Sequence, residues 1–237
     1  MEKGIKKPDM IKAVIFDMYE TLITLFNSTV YKGRQIAEDM NLPEDVFREI
    51  WDPTDDDRTL GKMSFEEVIS EIMQANDISD QDLYGRIISK RYSCTAEVFS
   101  HMHPDIIPML EALRAKGIRT GLITNCYFEE RDAIRDSGLA GYFDAVCMSC
   151  EVGIKKPDLK IYELCAGKLG VMPGECLYVG DGGSNELEAA KSAGMKPLQA
   201  TWYLREGLGQ PCGRLDEFDQ AAVPMDVVRA AESMICN

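Results

Sequence analysis

Apolar residues gather in five short runs along the chain: Ala13–Phe16, 120–124, 145–149, 176–179 and 195–200. The runs are rich in Val, Ile, Leu and Cys and do not alternate cleanly with polar residues. Near-continuous apolar runs suit parallel strands covered on both faces. Between them, apolar positions recur at helical spacing. Ile106, Leu110 and Leu113 mark one face of a helix that ends at Gly117, a plausible C′ glycine. A second helix over 129–137 stops before Gly138. Ile161, Leu164, Cys165 and Leu169 mark a third, opened by Pro157-Asp158 and closed by Gly170. Leu187, Ala190 and Ala193 mark a fourth, ending at Gly194. Strand–helix alternation predicts an α/β fold, three layers deep, with a parallel sheet.

The segment from about Thr24 to Ser100 breaks this rhythm, and no good strand is visible in it. Residues 31–40, 44–51 and 81–92 read as helices, and Ser64-x-x-Glu67 forms a capping box ahead of Val68, Ile69 and Ile72. An all-helical insert between the first two core strands reads as a cap domain. The expected division is a core of residues 1–23 and 101–237, with a cap of residues 24–100. Asp52-Pro53-Thr54-Asp55-Asp56-Asp57 reads as a solvated loop within the cap. It lacks the glycine and terminal glutamate spacing of an EF-hand calcium loop.

Composition narrows the function classes. A net charge of −14 over 237 residues argues against nonspecific nucleic-acid binding, which needs a basic field. No apolar run approaches the roughly 18 residues of a membrane span. The N-terminal MEKGIKKPDM has positive charge but no apolar stretch of a signal peptide. The expectation is a cytoplasmic protein that keeps its eight cysteines reduced and has no membrane partner. Cys147 and Cys150 form one CxxC without a second pair, so they read as small buried residues. His101 and His103 are the only histidines, and a zinc site there would need ligands from elsewhere.

Reactive groups in an open parallel sheet gather beyond the carboxyl ends of the strands. Asp17-Met18-Tyr19-Glu20-Thr21 follows the first run and Thr124-Asn125 closes the second. Lys155-Lys156-Pro157-Asp158 follows the third, and Gly180-Asp181-Gly182-Gly183-Ser184-Asn185-Glu186 the fourth. Each alone has an ordinary reading as a turn, a helix cap or a surface lysine. Together they suggest a chemistry. A carboxylate can serve as a nucleophile. Attack on an anionic phosphoryl group needs charge neutralised by a divalent ion and a lysine. Magnesium prefers a few carboxylates plus water, and Asp17 and Asp181 can supply them.

In this order the segments resemble the motifs of the haloacid dehalogenase superfamily. AVIFDMYETL is similar to the first motif, GLITN to the second, IKKPDLKIYELC to the third and LYVGDGGSNELEAAKSAGM to the fourth. The helical insert matches the family's cap position, just after the first motif. The resemblance implies a Rossmann-like core with a helical cap, and a hydrolase. It implies that Asp17 attacks the substrate, that Thr124 binds the transferring group, and that Lys156 links nucleophile and substrate charge. It places Asp181 as a magnesium ligand with Asp17, Glu186 as a second acid acting directly or through water, and the Tyr19 carbonyl as a further ligand. Thr21 supports the nucleophile loop, and Thr21 and Asn125 are the expected substrate-binding residues.

Tyr19 is a departure. Phosphatases of the superfamily usually carry a second aspartate there as acid–base catalyst. Tyrosine, with a reference pKa of about 10, is a poor general base near neutrality. The reading favoured is a magnesium-dependent phosphatase of a small phosphorylated metabolite, with an aspartyl-phosphate on Asp17. The alternative is a metal-free 2-haloacid dehalogenase, which the DxYxTL motif and the pattern Lys156, Pro157, Asp158, Tyr162 resemble, with Arg48 as the halide contact. That branch replaces the first acid of the fourth motif with serine, whereas Asp181 is intact here. Other phosphoryl or phosphonate chemistry, and a non-catalytic binding role, complete the alternatives. Oligomeric state stays open.

Overall fold

A computed structural model describes residues 10–205 and 213–234 of the chain. The core elements run β1 (Ala13–Phe16), then after the insert α6 (Ile106–Ala115), β2 (Arg119–Thr124), α7 (Phe128–Asp136), β3 (Ala145–Met148), α8 (Ser149–Val152) and α9 (Leu159–Leu169). They continue with β4 (Cys176–Gly180), α10 (Glu186–Ser192), β5 (Lys196–Ala200), β6 (Asp219–Ala221) and α11 (Met225–Ser233). Helices α1 to α5 belong to the insert: Gly33–Asp39, Glu44–Trp51, Asp55–Thr59, Phe65–Ala75 and Gln81–Glu97. The six strands form one parallel sheet in the order β3-β2-β1-β4-β5-β6. This is the α/β fold with a parallel sheet expected from the strand–helix alternation, and the Rossmann-like core that the motif resemblance implies.

The lack of alternation has a simple cause: both faces of the central strands are covered. On β1, Val14 and Phe16 join one apolar cluster while Ala13 and Ile15 join another. On β4, Leu177 and Val179 divide from Cys176 and Tyr178 in the same way. Ile106, Met109, Leu110 and Leu113 of α6 and Val227, Val228 and Ala231 of α11 cover the first face. Ile161, Cys165 and Leu169 of α9 and Leu187 and Ala190 of α10 cover the second. Each fully buried Leu, Ile or Val contributes about 1.5–3 kcal/mol relative to exposure. Helix α9 packs so closely on β2 that a Cβ at Gly121 would lie 2.9 Å from Cys165 Sγ.

The insert builds its own cluster from Tyr31, Ile36, Phe47, Phe65, Val68, Ile69, Ile72 and Ile87. The capping box opens α4: Ser64 Oγ accepts from Glu67 N at 3.2 Å, and Ser64 N donates to Glu67 Oε2 at 2.7 Å. The aspartate run differs from expectation in part. The aspartates are exposed, as expected, but Asp55, Asp56 and Asp57 form the first turn of the helix α3 and not a loop, and a helix N-terminus favours negative charge. Asp56 pairs with Lys155, and Asp55 accepts from Tyr127 OH at 2.5 Å, so the run docks on the core. The sequence pattern also misses β6 and α11. No helix among the described residues is long and apolar enough to cross a membrane.

Candidate active site

Four strand ends meet at one point. β1 leads directly into Asp17, whose N–H donates to Val179 O of β4 at 2.9 Å. The following loop is knotted by Glu20, which takes a left-handed φ of 56° and accepts from Thr24 Oγ1 at 2.7 Å and Leu25 N at 2.8 Å. Thr21 is fully buried, with its hydroxyl 3.4 Å from Asp17 Oδ2. It touches the nucleophile loop and lines neither neighbouring cavity.

β2 delivers Thr124, also fully buried, and then Asn125. The Asn125 carboxamide clamps the backbone of Lys156: Nδ2 donates to Lys156 O at 3.0 Å and Oδ1 accepts from Lys156 N at 2.8 Å. That clamp aims the buried Lys156 side chain. Its Nζ bridges Asp17 Oδ1 and Glu186 Oε2, the latter at 2.6 Å. Burial works against the Lys156 charge, yet Asp17 and Glu186 together raise its pKa above the ordinary lysine value.

β4 delivers Asp181 and the turn into α10. Gln199 Nε2 donates to Asp181 O at 2.9 Å, and Gly183 N donates to its Oδ1 at 2.9 Å. Asp181 Oδ2 is buried without a hydrogen-bond partner. Glu186 is held far more fully. Its Oε1 accepts from Gly182 N at 3.1 Å, its Oε2 accepts from Tyr178 OH at 2.8 Å as well as from Lys156, and its backbone oxygen accepts from Tyr162 OH at 3.1 Å. A Cβ on Gly180 would lie 2.1 Å from Glu186 Oε1, so glycine is needed for this approach. Tyr178 was invisible as a site residue in the sequence because it sits within an apolar strand.

Oxygens of Asp17, Asp181 and Glu186 lie within 4.8 Å of one another. Three buried carboxylates face one lysine, and such an excess of negative charge is costly without a further cation. Burial first, and Glu186 next, push Asp17 up to about 8 and Asp181 up to about 7. A bound divalent ion would favour both charged forms. The oxygen-only donor set and the unpartnered Asp181 Oδ2 fit a hard cation.

Two adjoining cavities open beside this cluster. One, of about 500 Å³, is lined by Asp17, Lys156, Asp181 and Glu186. The other, of about 620 Å³, lies between core and insert. Tyr19 borders both. Its hydroxyl is buried without a partner, and burial together with Glu130 raises its pKa well above the ordinary phenol value. The larger cavity's wall includes Arg91 of α5, which pattern reading missed. Arg91 donates to Glu129 Oε1 at 3.0 Å, Glu130 Oε1 at 3.1 Å and Tyr31 O at 3.2 Å, pinning insert to core.

Other candidates separate from the site. Arg48 lies on the exposed side of α2, paired with Glu44 at 2.8 Å and Asp52 at 3.2 Å, and borders neither cavity. It is therefore not placed as a halide contact. His103 Nδ1 accepts from Asp105 N at 3.1 Å, and neither histidine joins a metal-binding group among the described residues. Cys147 and Cys150 are buried, as expected of small apolar residues.

A family model described as haloacid dehalogenase-like hydrolase matches residues 11–194. The chain is 27% identical over 203 residues to the glyceraldehyde 3-phosphate phosphatase of Methanopyrus kandleri, covering 78% of this chain and 82% of that protein. It is 30% identical over 167 residues to a phosphoglycolate phosphatase of Salmonella choleraesuis, covering 68% of this chain and 64% of that one. Among solved structures, a HAD phosphatase from Thermococcus onnurineus is similar at a TM-score of 0.62 and 25% identity, covering 93% of this chain and 97% of its own. A 2-haloacid dehalogenase from Pseudomonas syringae pv. Tomato shares the fold at a TM-score of 0.70 and 22% identity, covering 94% and 99%. With four motif segments converging on Asp17 and a family match over most of its length, the chain belongs to the haloacid dehalogenase-like hydrolases.

Proposed function

We propose that the protein is a magnesium-dependent phosphatase of a small phosphorylated metabolite, working through an aspartyl-phosphate on Asp17. The observation that carries this reading is the buried trio Asp17, Asp181 and Glu186 around Lys156, with Asp181 Oδ2 unpartnered. Asp17, Asp181 and the Tyr19 carbonyl are the proposed ligands. Glu186, whose oxygens already accept from Lys156, Tyr178 and Gly182, acts through water. When bound, magnesium would neutralise charge on the phosphoryl group.

The chain's own residues do the rest. An Asp17 carboxylate oxygen attacks phosphorus while the ester P–O bond breaks and its electron pair leaves on the ester oxygen. Lys156 balances charge beside the nucleophile, and Thr124 with nearby N–H groups holds phosphoryl oxygens. Water then cleaves the aspartyl-phosphate, releasing phosphate and restoring the Asp17 carboxylate. Residues 24–100 act as a cap on the core of residues 1–23 and 101–237, excluding water from the joint cavity. The insert's separate apolar cluster and the Arg91 contacts support that division. Relatives named as phosphatases of small phosphate esters support the reaction class. The six cysteines among the described residues are free, which suits a reducing cytoplasm.

The test is a screen of phosphomonoesters and 2-haloacids, each with magnesium and with chelator. Phosphate release that requires magnesium is expected. Halide release that persists in chelator would overturn the reading in favour of a dehalogenase.

A further inference from the structure

A glutamine buried in a sheet is costly unless its amide is satisfied, and packing alone would be served by leucine or methionine. Gln199 is such a residue: it is fully buried near the end of β5, opposite Gly180 of β4. Its carboxamide binds backbone. Nε2 donates to Asp181 O at 2.9 Å and to Gly213 O at 2.7 Å, and Oε1 accepts from Leu215 N at 2.9 Å. The peptide between Asp181 and Gly182 is therefore held from both sides. Its oxygen accepts from Gln199, and its N–H, on Gly182, donates to Glu186 Oε1 at 3.1 Å. Hydrogen bonds linked in this way polarise one another. The loop that follows is not relaxed. Gly182 has a φ of 102°, and Ser184 and Asn185 take left-handed φ values of 56° and 51°. Residues with side chains persist in that region only where their surroundings hold them.

We infer that Gln199 is a positioning residue for the cation site, acting on Asp181 through the Asp181–Gly182 peptide. The carboxylate of Asp181 projects from the edge of that peptide. Holding the carbonyl fixes the plane, so that Oδ1 accepts from Gly183 N at 2.9 Å and Oδ2 stays unpartnered, free to take a cation. Without the amide the carbonyl can turn, and the carboxylate turns with it. Gln199 also ties this loop to residues 213–215, so that segment shares in orienting Asp181. The inference rests on the phosphatase reading, which makes the cation magnesium.

Calorimetric titration with magnesium alone compares the parent with Gln199→Met, which keeps the length of the side chain and removes its donors and acceptor. Losing a partner behind a metal ligand typically weakens affinity by roughly 10–100-fold. Magnesium affinity should fall by about tenfold or more, and kcat should return close to the parent value at saturating magnesium. Gln199→Asn keeps the amide but is one carbon too short to serve Asp181, Gly213 and Leu215 together. It should show a smaller loss in the same direction, and it carries the test if Gln199→Met does not fold. Leu113→Ala opens a cavity under α6 and makes none of these bonds, so it should lower the melting temperature and leave magnesium affinity unchanged. Parent-like magnesium affinity in a folded Gln199 variant, with only the melting temperature lowered, would overturn the inference. So would an equal loss of affinity in Leu113→Ala, or a kcat that stays low at saturating magnesium. A parent that neither binds magnesium nor releases phosphate in its presence would instead remove the phosphatase reading, and the role of Gln199 with it.

Discussion

The Tyr178 hydroxyl donates to Glu186 Oε2 at 2.8 Å, on the same oxygen that Lys156 Nζ approaches at 2.6 Å. A strand residue of the core thus fixes the acid that positions the lysine, and the lysine in turn meets Asp17. Tyr178→Phe removes one donor from a buried carboxylate and leaves the ring packing in place. Losing a supporting contact around a metal site typically weakens affinity by roughly tenfold or more. Magnesium affinity, measured by calorimetric titration, should fall by about that factor. An unchanged affinity would mean that Gly182 and Lys156 suffice to hold Glu186.

Asp17→Asn keeps the shape of the nucleophile but removes its charge and its capacity to form the aspartyl-phosphate. Turnover should fall below detection while circular dichroism and the melting profile stay native-like. Burial penalises the Asp17 charge more than any other factor, so the substitution has no reason to unfold the chain. Appreciable turnover by a folded variant would remove Asp17 from the mechanism.

Asp181→Ala removes the buried oxygen that has no protein partner. Magnesium should then no longer raise the melting temperature, whereas in the parent a ligand at about 100 times its Kd stabilises by roughly 2.7 kcal/mol. Equal stabilisation of both proteins would place the cation elsewhere.

Arg91 holds two core carboxylates from an insert helix, and Glu129 Oε2 already lacks a partner. Arg91→Met leaves these acids without their cation. Breaking a buried ion pair from one side costs about 3–5 kcal/mol. For a protein of this size that corresponds to a melting temperature lower by on the order of 10 °C. Arg34→Ala, at the exposed pair with Glu38, should change it little. Similar melting of the two variants would show that Arg91 does not pin insert to core.

Asp17 stood out because it follows an unbroken apolar strand, whereas Lys156, Asp181 and Glu186 each have an ordinary local reading and were legible only through their order after successive strands and the motif resemblance. Arg91 was not, since its partner Glu129 lies 38 residues away and nothing local marks the pairing. Tyr178 was hidden by its neighbours: an aromatic residue among Cys176, Leu177 and Val179 reads as core, and only its hydroxyl reaches the site. Strand β6 has three residues, two of them exposed, so it carries almost no apolar signal. The aspartates of α3 are solvated as their charges imply, but their contacts with Lys155 and Tyr127 were not legible because those partners come from the distant core. Which hydroxyls lack partners, as at Tyr19 and Ser28, depends on the whole cavity wall.

Tyr19 stands two residues after the nucleophile, and burial raises its pKa well above that of a free phenol. A phenol held neutral can donate a hydrogen bond, but it cannot take a proton from water near neutral pH. Glu20 is the nearest carboxylate in sequence beyond Asp17, and both its oxygens are committed to Thr24 and Leu25. The aspartyl-phosphate should therefore persist and limit turnover, and activated aryl phosphates should form it faster than alkyl ones, a difference read in kcat/KM or in the burst phase, because their leaving groups need no proton. Tyr19→Asp places a carboxylate beside the intermediate. Positioned acid–base catalysis is worth about 10²–10⁴-fold, and the shorter side chain in a wall shaped for tyrosine should recover only part of it, roughly tenfold. Single-turnover decay of the phosphoenzyme in the two proteins measures this directly. Unchanged or slower decay in a folded Tyr19→Asp protein would show that another group activates the water.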